Sequence, residues 1–250
     1  MEGQTANSTA NPLGKYGAIR GVFRPGVHRV TRCPQSKIMG SKIYVVRHAE
    51  SVHNVTKDFS ILDPSLTELG FKQASEVVST FPDPSLVAVV ITSPLRRALE
   101  TTLTAFQHVL DKRYFNEKFK GGVENGAELI IDPDLQERSD LPCDTGSSDE
   151  RLQESFPQLN FEGLGQWQAK QGLFAADDTA VEARAIRARK RLGVLSEQLE
   201  GKEKKNVVVV THGVFMKFLT TDAEIDLPKA GWQVYNVEAT EGSYGLHPAT

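Results

Sequence analysis

The sequence predicts an α/β fold, a three-layer α/β/α sandwich around a mainly parallel central sheet. Short apolar, β-rich runs (KIYVV, LVAVVI, NVVVV) alternate along the chain with segments of helical period. With 250 residues there is room for one large α/β domain or two small ones. In sheets of this kind, ligands collect beyond the carboxyl ends of the strands.

The elements follow in order. Residues 42–46 form the first strand, and a loop runs to Asp63-Pro64-Ser65. Thr67 can cap a helix reaching about Thr80, with Leu69, Ala74, Val77 and Val78 at helical spacing. The run Phe81-Pro82-Asp83-Pro84 stops it. Residues 86–91 read as a buried strand. Ser93 then serves as N-cap and Pro94 as first-turn proline of a helix from 95 to about 110. Residues 111–127 are a Gly-rich surface excursion that reads as a first lid insertion, and 128–131 are a third strand. The stretch 132–178 is irregular, with a short helix at 149–155, and suits a lid over the sheet. Residues 179–200 carry the longest helical pattern, stopped by Gly201. Residues 206–210 are the most apolar strand, 214–219 open another helix, and 232–237 form the last strand.

Composition excludes several classes. At 39% hydrophobic residues plus 20 glycines the chain is ordinary for a globular protein, and no stretch approaches the ~20 apolar residues of a membrane span. Two cysteines, Cys33 and Cys143, do not make a disulfide framework, so a reduced, cytoplasmic setting is the default. Charge is uneven. Residues 1–42 carry seven basic groups and one acid, which leaves −9 on the remainder. An acidic body argues against a general nucleic-acid surface. The first 40 residues read as a basic extension, either disordered or docked on residues 41–250. Their acid-poor composition leaves mitochondrial targeting open, although Gly17, Gly21, Pro25 and Gly26 interrupt an amphipathic helix. Met39, just before the first strand, is an alternative start.

Three strand ends point to one anion site. Two strands finish alike, in Arg47-His48 and in Thr211-His212-Gly213. At the third, Arg96 and Arg97 occupy the first turn of a helix, where positive charge opposes the helix dipole by roughly 0.3–1 kcal/mol. A bound anion reverses that sign for one of the pair. Guanidinium forks suit phosphoryl oxygens, and a neutral imidazole near pH 7 is a competent nucleophile. The set fits phosphoryl transfer through a phosphohistidine. It fits metal binding poorly, because arginines repel a cation and no third ligand stands at metal spacing.

At these residues the sequence resembles the histidine phosphatase superfamily, the phosphoglycerate mutase-like group. Arg47-His48-Ala49-Glu50-Ser51-Val52-His53-Asn54 stands where the family reads R-H-G-E-x-x-x-N, with Ala49 in place of glycine. Ser93-Pro94-Leu95-Arg96-Arg97-Ala98-Leu99-Glu100-Thr101 matches the second block, Leu135-Gln136-Glu137 the third, and His212-Gly213 the fourth. The family order holds from residue 42 to about 240.

The resemblance implies a site and a reaction. Arg97, not Arg96, becomes the phosphate-binding arginine. His48 attacks phosphorus while Arg47, Arg97 and His212 hold the phosphoryl oxygens, with Asn54 and Gly213 completing the phosphate-binding set. Glu137 protonates the leaving oxygen and then activates water, a role that calls for desolvated surroundings. No cofactor and no metal are implied, and the partner is a small-molecule phosphomonoester, without nucleic acid or membrane. The segment after Asn54 is short and lacks tryptophan, so the resemblance is closer to the phosphatase branch than to the cofactor-dependent mutases. A phosphate-binding regulatory module with reduced chemistry is the reading of a different class.

Overall fold

The computed structural model describes residues 37–249. Most of the basic extension, residues 1–36, lies outside them. Its last residues do not, because strand β1 (Lys37–Arg47) begins well before residue 42. Lys37 pairs with Ala239 and Ile38 with Glu238, and Met39 is buried in the core. The expected boundary at 40/41 and the alternative start at Met39 therefore both fall inside a strand. Gly40 and Ser41 hide this part of β1 in the sequence; pairing with a long partner overrides their weak propensity, and the register shifts between Ile38 and Lys42.

The remaining elements are α1 (Val52–Thr56), α2 (Glu68–Thr80), β2 (Val87–Thr92), α3 (Arg96–Ala105), β3 (Glu128–Ile131), α4 (Asp149–Ser155), α5 (Asp178–Gln198), β4 (Asn206–Thr211), α6 (Phe215–Thr220), β5 (Trp232–Thr240) and β6 (Ser243–Pro248). The sheet order is β3-β2-β4-β1-β5-β6. β3, β2, β4 and β1 run parallel, and β5 and β6 complete one edge antiparallel. The sheet is thus mainly parallel, as expected.

Strand alternation divides the core into two layers. Tyr44, Val46, Val90, Val208 and Val210 face α2 and α3. Ile43, Val45, Val89, Val207 and Val209 face α5 and α6. Each buried Val or Leu contributes roughly 1.5–3 kcal/mol, so helices on both faces are needed to cover these strands. Among the described residues, no helix is long and apolar enough to cross a membrane.

Local details differ from the sequence reading. α2 buries Gly70, Ala74 and Val77, while Leu69 faces solvent. Gly70 sits against Glu50, and a Cβ there would lie 2.0 Å from the Glu50 carbonyl oxygen. α3 ends at Ala105, and Leu95 rather than Ser93 holds its cap position. Residues 111–127 add no side chain to the cavity described below; Phe119 stacks on Phe156 instead, with centroids 5.5 Å apart. Residues 132–178 do contribute to its wall. They are anchored by Trp167, which is fully buried and packed directly on Gly146.

Candidate active site

β1 and β4 are parallel neighbours, with Arg47 level with Thr211. The residues that follow, His48 and His212, therefore leave the sheet at the same edge. His48 N–H donates to the Thr211 carbonyl at 2.9 Å, and the two imidazole centroids lie 5.1 Å apart. β2 ends beside them, where Ser93 N–H donates to the Val210 carbonyl at 3.1 Å. A cavity of about 640 Å³ opens over these strand ends, lined by Arg47, His48, Asn54, Arg97, Glu137 and Gly213 among others.

His48 is 3% exposed. Its Nδ1 lies 2.7 Å from the Ala49 carbonyl oxygen, which only accepts, so the ring hydrogen sits on Nδ1. Nε2 is left as the acceptor, with Arg97 Nε donating to it at 3.3 Å. Burial, and then the Arg97 charge, hold the imidazole well below its usual value, so it is neutral. Ala49 in place of glycine is accommodated: it lies outside the left-handed region, and its N–H donates to Thr101 Oγ1 at 3.0 Å.

The two arginines of α3 part company. Arg96 is partly exposed and pairs with Glu100 at 2.9 Å. Arg97 is fully buried; it donates to the Cys143 carbonyl at 2.6 Å and pairs with Asp144 Oδ1 at 2.8 Å. Asp144 supplies the negative charge that a buried cation at a helix start needs. Ser139 Oγ donates to its other oxygen at 2.6 Å.

Arg47 is engaged on one side only. Its NH1 donates to Asp226 Oδ1 at 2.9 Å and to the Leu227 carbonyl. Its Nε is buried without a partner, and NH2 has no acceptor among the described residues. Gly213 makes this placement feasible, because a Cβ there would lie 2.9 Å from Arg47 NH2. His212 is fully buried behind His48 and is not part of the cavity lining. Its Nε2 lies 2.8 Å from Ser93 Oγ, and its Nδ1 has no partner. Ser93 Oγ thus meets an imidazole while also accepting the Leu95 N–H at 3.3 Å ahead of α3.

Glu137 reaches the cavity from the other wall. Its oxygens accept N–H bonds from Val214 at 3.1 Å, Phe215 at 2.9 Å and Arg138 at 2.8 Å. Glu137 is buried, and these backbone donors make its immediate surroundings polar. Asn54 lines the cavity with its Nδ2 2.9 Å from His53 Nε2 and its Oδ1 accepting from Ser51. Arg184, which reads in the sequence as a surface residue, is fully buried; it donates to the Asp134 and Gln136 carbonyls at 2.8 and 2.9 Å and so braces the segment leading to Glu137.

Sequence reasoning missed Asp144 as the partner of Arg97, and also Asp226 and Lys229. Asp226 and Lys229 lie in the irregular segment between α6 and β5, where no periodicity marks a pocket-facing position. Asp144 carries a faint signal: an acid in a tight turn a few residues after Glu137. The nearest thing to a metal site among the described residues is His53, Cys143 and Asp144, whose ligand atoms lie within 4.8 Å of one another. Both Asp144 oxygens are already engaged, by Arg97 and Ser139, and burial pushes the Cys143 thiol up to about 11. A cation there competes with a guanidinium.

Three imidazoles are held neutral by burial, with His53 pushed down to about 4 beside His48 and His212. Below pH 6.5 the unfolded chain takes up protons that the folded chain refuses. Stability is therefore expected to be complete above about pH 6.5 and to fall as pH drops below it, by up to about 1.4 kcal/mol per pH unit for each imidazole. Thermal melts from about pH 8 to about pH 5 check this; a melting temperature that stays flat through the imidazole range contradicts it.

Comparison with known proteins agrees with this geometry. A Schizosaccharomyces pombe protein named as a probable phosphatase is 29% identical over 206 residues, covering 78% of this chain and 86% of its own. Phosphoglycerate mutase-like protein 1 of Arabidopsis thaliana is 27% identical over 216 residues, covering 76% and 72%. The fold is shared with a mycobacterial glucosyl-3-phosphoglycerate phosphatase solved with VO3, at a TM-score of 0.52 and 18% identity over 84% of this chain and 98% of that one. The family model described as histidine phosphatase superfamily (branch 1) matches residues 43–244, and the chain belongs to that family.

Proposed function

We propose that this protein is a phosphatase that hydrolyses a phosphomonoester through a phosphohistidine on His48. The observation that carries the reading is one of unspent hydrogen bonds. His48, whose unprotonated Nε2 accepts only from Arg97 Nε, lines one cavity with Arg47, whose guanidinium Nε and NH2 have no acceptor among the described residues. A buried donor without a partner costs about 1–3 kcal/mol, and a tetrahedral oxyanion removes that cost.

In the first step His48 Nε2 forms a bond to phosphorus. The bond from phosphorus to the leaving oxygen breaks, and that oxygen takes a proton from the Glu137 carboxyl. Arg47 and Arg97 stabilise the charge on the non-bridging oxygens. With Ser93 donating to His212 Nε2, the ring hydrogen of His212 sits on Nδ1, a buried donor without a partner in a ring packed 5.1 Å from that of His48. In the second step water gives a proton to Glu137 and its oxygen attacks phosphorus. The bond from Nε2 breaks, and inorganic phosphate leaves.

Leaving groups test the part of Glu137. Glu137→Gln is expected to lower kcat/KM by about 10²–10³ for an alkyl phosphate, whose alkoxide needs a proton. The loss for p-nitrophenyl phosphate is expected to be much smaller, because its leaving group departs unprotonated. Equal losses for both substrates would remove Glu137 from the acid role.

A further inference from the structure

One cation of the cavity has no task in this scheme. Lys229 lines the cavity, half-buried, and forms no hydrogen bond or ion pair among the described residues. The other lysine of the lining, Lys217, donates to the Ala223 carbonyl at 2.8 Å. Burial, followed by the charges of Arg47 and Arg97, pushes Lys229 down to about 8. In turn its charge acts on His48, His53 and His212. The ammonium therefore sits among the groups around His48; the Glu137 charge also acts on it, but it forms no ion pair among the described residues.

The backbone holds it there at some expense. Pro228-Lys229-Ala230-Gly231 is a tight turn closed by Gly231 N–H donating to the Pro228 carbonyl at 2.9 Å. Ala230 has φ of +58°, a left-handed conformation that costs a residue with a Cβ roughly 1–2 kcal/mol. The turn is fastened to the nucleophile strand at consecutive residues: Arg47 N–H donates to the Gly231 carbonyl at 2.9 Å, and Ala230 N–H to the His48 carbonyl at 3.4 Å. A strained turn pinned to Arg47 and His48 thus carries an unpaired lysine that lines the same cavity as His48.

We propose that Lys229 is a further ligand of the transferring phosphoryl group, its ammonium donating to a non-bridging oxygen alongside the free edge of Arg47. The proposal rests on the phosphatase reading for its chemistry and on the anion site alone for its binding. An unpaired ammonium in a pocket bounded by guanidinium groups is stabilised by a dianion more than by any neutral group. Arg47 and Arg97 already carry Asp226 and Asp144, whereas Lys229, on which both of their charges act, has no ion pair among the described residues.

The test uses the full chain, with inorganic phosphate as the probe. Lys229→Met keeps most of the side-chain length and removes the charge; Lys229→Arg restores it. The dissociation constant of phosphate is measured by calorimetry, and kcat/KM is measured for p-nitrophenyl phosphate and for a phosphorylated hydroxy acid. Lys229→Met is expected to weaken phosphate about tenfold or more and to lower kcat/KM for both substrates alike, with Lys229→Arg recovering most of each loss. Unchanged phosphate affinity in Lys229→Met overturns the proposal, as does a loss confined to the hydroxy-acid ester, which would place the ammonium on a second anionic group of the substrate. Absence of phosphate binding in the wild type overturns it too. If Lys229→Met does not fold, the arginine variant decides: retained phosphate affinity supports the role, and affinity lost with folding intact removes it. Failure of the phosphatase reading shows separately, as absence of His48-dependent turnover while phosphate still binds more tightly to the wild type than to Lys229→Met.

Discussion

Replacing His48 with alanine is expected to lower kcat by at least about a thousandfold on every phosphomonoester, since no other group in the cavity stands ready as nucleophile. The ring is neutral, its hydrogen is on Nδ1, and the residue lines the cavity. Neighbouring imidazoles do not substitute. His212 is buried behind it with Nε2 directed to Ser93, and both ring nitrogens of His53 are engaged by Ser51 and Asn54. Quenched-flow labelling with a phosphate-labelled substrate checks the intermediate: wild type should carry acid-labile, base-stable label, and His48→Ala none. Turnover that survives His48→Ala would end the phosphohistidine mechanism. Retained phosphate binding without any wild-type turnover would favour a binding module.

Arg97→Ala is expected to cost both folding and chemistry. It removes a fully buried cation and leaves Asp144 and the Cys143 carbonyl without their principal donor. Breaking a buried pair from one side costs about 3–5 kcal/mol, and losing a donor to the phosphoryl oxygens costs about 10²–10³ in kcat. The double variant Arg97→Ala with Asp144→Ala should recover part of the stability and none of the activity. Arg96→Ala makes the contrast. Its guanidinium is partly exposed but Glu100 is buried and keeps only the Leu66 N–H at 2.7 Å, so a loss of about 1–3 kcal/mol is expected, with kcat close to wild type. Equilibrium denaturation with parallel kinetics separates these outcomes, and a greater loss of kcat in Arg96→Ala than in Arg97→Ala would reverse the assignment of the two arginines.

What could be read from the sequence followed from how local each cause is. Val207–Val210 and Val87–Ile91 are apolar without interruption because helices cover both faces of the sheet, and that pattern needs no knowledge of partners. The arginine pair stood out because a cation in the first turn of a helix violates a local rule. β6 was hidden because Gly245 and Pro248 break its pattern, although the Glu241-Gly242 turn, with Gly242 at φ of +84°, is a two-residue hairpin signal. The inward place of Arg184 is hidden for a different reason. α5 is charged on most faces, and only the Asp134 and Gln136 carbonyls, some fifty residues away, show which arginine is inside. Lys229 and Asp226 belong to the same class, since their significance depends wholly on a turn fastened to a strand far off in sequence.

The acids beside the two arginines have a consequence for selectivity. Asp144, largely buried, and Asp226, exposed, are paired with the two arginines, so on the proposed reading part of the positive charge around His48 is balanced before any solute arrives. Chloride and other monovalent ions gain little by entering such a balanced bowl, whereas a doubly charged oxyanion finds Lys229 and the open flank of Arg47 together. Valence, more than raw attraction, then sorts what enters, and ambient salt should clog this catalyst less than it would an uncompensated basic patch.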